Sequence, residues 1–234
     1  MTSISKIALA CAALVAASGA FAQKAGDNIV SAGIASVNTD ASVGTLGNSL
    51  GLAPYLAGTS AKVSSETTVS FGLLHMYTDN IGGEFTIGIP PTVTQDLTTP
   101  LLPNYNPALH AQHSGAAKIS IWTPTAVAKY FFGTAKDQWR PYVGLGVSRV
   151  SFHSIKTSTD VALLAGTSAD LSSSWAPVYN AGMIYNIDDK WSINGSVSFI
   201  PVTTTATFVG QAGVTTGDIK LNTTDYVIRL GYKF

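Results

Sequence analysis

Three groups of residues in this sequence are of types that could do chemistry. His110 and His113 lie three apart, a spacing that would set two imidazoles on one helical turn and begin a metal site. No third ligand accompanies them, so the expectation is a solvated pair and no bound metal. His153-Ser154 joins a general base to a nucleophile by residue type. Neighbouring residues of a continuing strand point to opposite faces, and no acidic residue is evident to orient the imidazole. Gly144-x-Gly146 lacks the third glycine and the following helix of a dinucleotide fingerprint; inward glycines more simply make room for side chains such as Tyr142. Cys11 is the only cysteine, so after removal of a leader no disulfide, thiolate or cysteine-based metal chemistry remains. These readings predict no catalytic residue, no cofactor and no enzyme.

A different set, Glu84, Lys129, Arg140 and Arg229, acquires meaning only from the elements that carry it. Charged residues make up 11% of the chain, against roughly 25% in ordinary soluble domains. A long chain with so few charges, and no long apolar run beyond its start, suits a membrane β-barrel, where apolar and small polar residues alternate. The start itself reads as an export signal. Lys6 precedes the apolar run Ile7 to Ala17, and Ala20-Phe21-Ala22 is a cleavage site. A transmembrane helix would need about 20 apolar residues. The expected division is therefore a cleaved leader over residues 1–22 and one domain over residues 23–234. Cleavage removes only Lys6 of the 13 basic residues, leaving 12 against 13 acidic and a net charge of −1. Such a balance offers nothing to nucleic acid.

Alternation is clearest at the C-terminus. Tyr226, Ile228, Leu230, Tyr232 and Phe234 share one parity; Asp225, Val227, Arg229, Gly231 and Lys233 share the other. The segment Trp191 to Phe199 repeats the pattern. So does the stretch holding Trp175, Tyr179, Ala181, Met183 and Tyr185, with Asp188-Asp189-Lys190 as the turn between them. Trp139 to Phe152, Trp122 to Phe132 and Glu84 to Ile89 follow suit, and Thr67 to Tyr77 and Asn28 to Val37 alternate more weakly. The expectation is an all-β, eight-stranded antiparallel transmembrane barrel. Short connections fall near residues 78–81, 133–138 and 188–190, and long ones near 39–64, 92–118, 153–173 and 204–222. That rhythm places both termini on the periplasmic side and the long loops outside. A lipocalin-like barrel also has eight strands, but would turn its apolar face inward and show more surface charge.

Parity sets Glu84, Lys129, Arg140 and Arg229, with Lys233 beside them, inside the barrel near the short-turn end. Unpaired charges in a tight lumen are costly, so they are expected to pair as a polar plug, with Glu84 facing Lys129 from a neighbouring strand. Filling and pinning the barrel is as good a role for them as gating. A barrel plugged there would release an apolar solute sideways through its wall. Leu101, Leu102, Leu163, Leu164 and Phe208 lie in the long connections, where they would form either an entrance for apolar solutes or packing on the rim. Arg149 shares the lipid-facing parity of Val147, which calls for snorkelling to an interface or a bulge that shifts register.

Several stretches resemble the OmpW family of small outer-membrane proteins. They are Thr78-Asp79-Asn80-Ile81-Gly82, Pro124-Thr125 with Tyr130-Phe131-Phe132-Gly133, and Arg140-Pro141-Tyr142-Val143-Gly144. Ser174-Trp175 with Ala181-Gly182, Trp191-Ser192-Ile193-Asn194 and the closing Gly231-Tyr232-Lys233-Phe234 complete the set. Together they sample the chain from about residue 65 to the end, and the region 92–118 departs most. The resemblance implies a barrel in the outer membrane of a Gram-negative bacterium, with a narrow, largely apolar lumen that passes small hydrophobic molecules. A non-conducting structural or surface-receptor barrel is the alternative. Expected partners are outer-membrane lipid, lipopolysaccharide, small hydrophobic solutes and the barrel-assembly machinery, which would read the last strand ending in Phe234.

Overall fold

A computed structural model describes residues 23–98, 112–158, 168–211 and 213–234. The expected leader, Leu101, Leu102, His110, Leu163 and Leu164 lie outside the described residues. In chain order the elements are β1 (Asn28–Asn48), α1 (Ala53–Leu56), β2 (Ser60–Val63), β3 (Glu66–Met76), β4 (Ile81–Gly88), β5 (Thr92–Thr98), β6 (Gln112–Trp122), β7 (Thr125–Phe131), β8 (Trp139–Thr157), β9 (Ser168–Leu171), β10 (Ser174–Asn186), β11 (Trp191–Gly210) and β12 (Gly213–Lys233).

Eight of these strands close a ring in the order β1, β3, β4, β7, β8, β10, β11, β12 and back to β1. Every pairing is antiparallel, so backbone N–H and C=O groups are satisfied within the wall, which is the condition for crossing lipid. Period-two alternation does the rest. Thr125, Val127, Lys129 and Phe131 of β7 are buried inside, while Ala126, Ala128 and Tyr130 face out. The outer face is apolar, with Ile34, Phe71, Phe85, Leu145 and Ile228 all exposed. Rings gather at its short-turn edge, where Trp139 packs on Tyr185 and Trp191 on Tyr232 with centroids 4.4 and 4.9 Å apart. At the other edge Arg149 lies 5.4 Å from the Trp175 ring. β8 stays in register with β10 through the Trp175–Arg149 pair, and the Arg149 N–H donates to the Pro124 carbonyl at 3.0 Å just beyond the last β7 pair, so it faces outward with its guanidinium at an aromatic girdle rather than on a bulge.

The long connections differ from the loops read in the sequence. Residues 204–222 are almost wholly strand, because β11 and β12 stay paired from Trp191–Tyr232 to Gly210–Gly213. β1 likewise runs to Asn48, with a register shift between Val43 and Leu46. The threonine-rich stretches there are β-branched, which favours extended chain, yet their hydropathy barely alternates. The other connections contribute β2, β5, β6 and β9. β6 continues the line of β7 along β8, and β5 continues β4. Each in-line pair is interrupted where proline removes an N–H, at Pro90-Pro91 and at Pro124. The register of β6 on β8 also shifts, and Ser154 has a φ of 51°. His153 and Ser154 are both exposed at this bulge.

Candidate functional site: the barrel lumen

The inward face is stacked in layers from the short-turn end upward. The lowest is an apolar cluster of Ile29, Leu74, Met76, Phe131, Tyr142 and Ile184. Arg140 is fully buried beside it, donating from Nη1 to the Gln23 carbonyl and from Nη2 to the Asp79 carbonyl, each at 2.5 Å, and stacking 5.2 Å from the Phe131 ring. Gln23 in turn donates its side-chain amide to Asn186 Oδ1 at 2.6 Å, so the first described residue reaches into the barrel mouth.

Above this lies an ion cluster. Lys129 Nζ is 2.5 Å from Glu84 Oε2, and Arg229 Nη1 donates to Glu84 Oε1 at 3.1 Å. All three side chains are at most 4% exposed. Burying a carboxylate is tolerable only against such partners, and two cations around one anion leave the cluster with a net charge of +1. Gly72 permits it, because a Cβ there would fall onto Arg229 Nη1. Lys129 also sits 4.2 Å above the Tyr142 ring, whose hydroxyl donates to Asn194 Oδ1 at 2.9 Å. Room for that hydroxyl comes from Gly182, where a Cβ would stand 2.5 Å from it; Gly144 packs on Val127 and Lys129 instead.

The third layer is a cavity of about 100 Å³ lined by Ala35, Val37, Val127, Val150, Phe152 and Val227 among others, with Asn180, Ser198 and Asp225 on one side. Its lining continues to Gly88, Ile89, Pro90 and Pro91 on one strand and Thr123 and Thr125 on the next. The β4–β7 ladder ends at Thr86–Thr125 and the β5–β6 ladder begins at Thr92–Ser120, so the cavity meets the wall at its break. Over it, Val178, Ile200, Val202, Ala206, Ile219 and Leu221 are buried in a second apolar cluster.

Of the residues singled out by sequence, the fold brings Glu84, Lys129 and Arg229 together. Arg140 occupies its own layer on backbone carbonyls, and Lys233 lies at the rim, 3.4 Å from Asp27 Oδ2. Phe208 packs, as Leu97 does, against Ala116 near the far end. His113 is buried on β6, and no group of three potential metal ligands occurs among the described residues. Sequence reasoning passed over the row of Asn180, Ser198 and Asp225 and the proline break. Inward parity was readable for Asp225; its level in the lumen was not.

The OmpW family profile matches residues 24–234. The chain belongs to the OmpW family. Outer membrane protein W of Vibrio cholerae is 31% identical over 97% of both chains, and that of Escherichia coli 29% over the whole of both. Among solved structures, the outer membrane protein OprG of Pseudomonas aeruginosa superposes with a TM-score of 0.79 at 25% identity, over 92% of this chain and 99% of its own. The ring is therefore an outer-membrane β-barrel of a Gram-negative bacterium. Its apolar outer face meets lipid, and the short turns mark the periplasmic end.

Proposed function

We propose that this barrel gives small hydrophobic molecules passive passage into the outer membrane, taking them from the external end and releasing them sideways at the proline break. The observation that carries the reading is the shape of the interior. The periplasmic end is filled by two buried layers, whereas the cavity above them runs to Gly88–Pro91 in the wall. Pro90, Pro91 and Pro124 withhold the N–H groups that would zip this part of the ladder, and Ile89 beside them is 55% exposed toward lipid. Glu84, Lys129, Arg140 and Arg229 act in this reading as a plug, closing the straight path. Phe208 belongs to the external entrance, together with Leu101, Leu102, Leu163 and Leu164.

In the same reading residues 1–22 are a cleaved leader and the mature domain begins at Gln23. Lipopolysaccharide surrounds the external edge, and the assembly machinery takes hold of the last strand at Phe234. A second reading, a non-conducting structural or receptor barrel, draws on the buried apolar cluster over a cavity of only about 100 Å³. Uptake of a fluorescent apolar tracer into vesicles carrying the refolded mature protein separates the two. Faster uptake of the apolar tracer than of a polar one of equal size supports passage, and no change for either supports the closed barrel. Pro90→Val with Pro91→Val should slow the apolar tracer, whereas Glu84→Gln should leave it nearly intact. Abolished uptake in a folded Glu84→Gln protein would refute the sideways route.

A further inference from the structure

The ion cluster leaves one inward acid unexplained. Asp225 lies four residues above Arg229 on β12, about 13 Å away at 3.3 Å per residue. It is opposite Ser198 on β11, which is opposite Asn180 on β10. Asp225 Oδ1 and Asn180 Oδ1 are both shut off from bulk solvent and accept no hydrogen bond from any described residue. The Asn180 amide is oriented by its own donors, since Nδ2 donates to Ser198 Oγ at 2.9 Å and to the Val197 carbonyl at 3.2 Å. All three side chains line the cavity, which is otherwise walled here by Val37, Ile200 and Val227.

We propose that this row is a subsite for a small apolar primary amine, with the ammonium on Asp225, Asn180 and Ser198 and the alkyl part against the valine and isoleucine walls. An ammonium carries three donors and no acceptor, matching three acceptor oxygens on one side of the cavity. Charge points the same way. The floor cluster is +1 and Asp225 offsets it, so a cation is repelled from Arg229 and Lys129 and held at Asp225. Size limits the solute to something smaller than benzene, because a cavity of about 150 Å³ admits benzene and this one is about 100 Å³. Ethylammonium is the appropriate probe.

The inference depends on the proposed function only in needing a lumen that solutes can reach, so it is tested by equilibrium binding rather than flux. Folded mature protein in micelles is titrated with ethylammonium, ethanol and acetate, following the amide resonances of Ser198 and residue 225. The wild-type protein should bind ethylammonium about tenfold tighter than ethanol, the scale of one charge-assisted hydrogen bond. Asp225→Asn should erase that preference and favour acetate, because the lumen then carries the uncompensated charge of its floor. Asp225→Glu should retain the amine preference. If Asp225→Asn does not fold, Asn180→Leu should weaken ethylammonium several-fold and leave ethanol unchanged. Equal affinities in the wild-type protein, or an amine preference that survives Asp225→Asn, would overturn the subsite. Tracer uptake without amine preference would overturn it alone and leave the passage reading standing.

Discussion

Replacing Glu84 by glutamine tests whether the lumen is as dry as the packing implies. Glutamine keeps the shape and one carbonyl acceptor but removes the charge that faces Lys129 at 2.5 Å and Arg229 at 3.1 Å. With all three side chains at most 4% exposed, two cations would be left confronting each other without a counter-ion. Breaking a buried pair in this way costs about 3–5 kcal/mol. Equilibrium urea unfolding of the refolded protein in lipid vesicles measures it, with heat-dependent gel mobility as the check on folding. The double variant Glu84→Gln with Lys129→Met removes one of the stranded cations and should recover at least half of the loss. A cost below about 1 kcal/mol for Glu84→Gln would mean that water reaches the cluster and screens it, and the buried-charge argument would fail.

Gly72→Ala should destabilise by about 1–3 kcal/mol, since the added methyl displaces Arg229; combined with Glu84→Gln in a double-mutant cycle, the double variant should lose less than the two single losses added together. Tyr142→Phe leaves Asn194 Oδ1 buried without its donor, for a loss of about 1–3 kcal/mol and a shifted Asn194 side-chain amide resonance; unchanged unfolding would show that the bond is dispensable. In the periplasmic turn, Asp188 Oδ1 accepts the backbone N–H groups of Trp191 and Lys190 at 2.7 and 2.8 Å, which holds its carboxyl below the ordinary value of 3.8. A depressed carboxyl contributes order that is present above 3.8 and lost as pH falls through the folded value, so the Trp191 amide resonance should titrate with a midpoint below 3.8. A midpoint at or above it, or an unaltered turn in Asp188→Ala, would contradict this.

Much of the barrel could be read from alternation alone, because lipid and lumen make opposite demands on successive residues. β7 and the end of β12 follow the expected parity residue by residue. Parity is blind to height, however. Glu84, Lys129 and Arg229 meet while Arg140 does not, since strand tilt and stagger, set across the whole ring, decide which inward residues share a level. Hydropathy alternation also fades in the threonine-rich ends of β11 and β12, where threonine stands on both faces: Thr203 and Thr205 are exposed, while Thr204 is buried between Val202 and Ala206. The wall break at Pro90-Pro91 was spelled out in the sequence, but a missing N–H matters only once its partner strand is known.

Closure of the ring joins β1 to β12. Phe234 donates its N–H to the Asn28 carbonyl at 3.0 Å, and β12 lies along β1 over most of its length. This seam has the largest loop to close, with an entropy cost on the order of 5 kcal/mol from (3/2)RT ln n for some two hundred residues. Until it forms, β1 and β12 each offer a bare edge, the template on which chains aggregate. One pairing thus shields two edges at once, and the ring has no half-closed form: until β1 meets β12, every hairpin between them belongs to an open sheet with two bare margins.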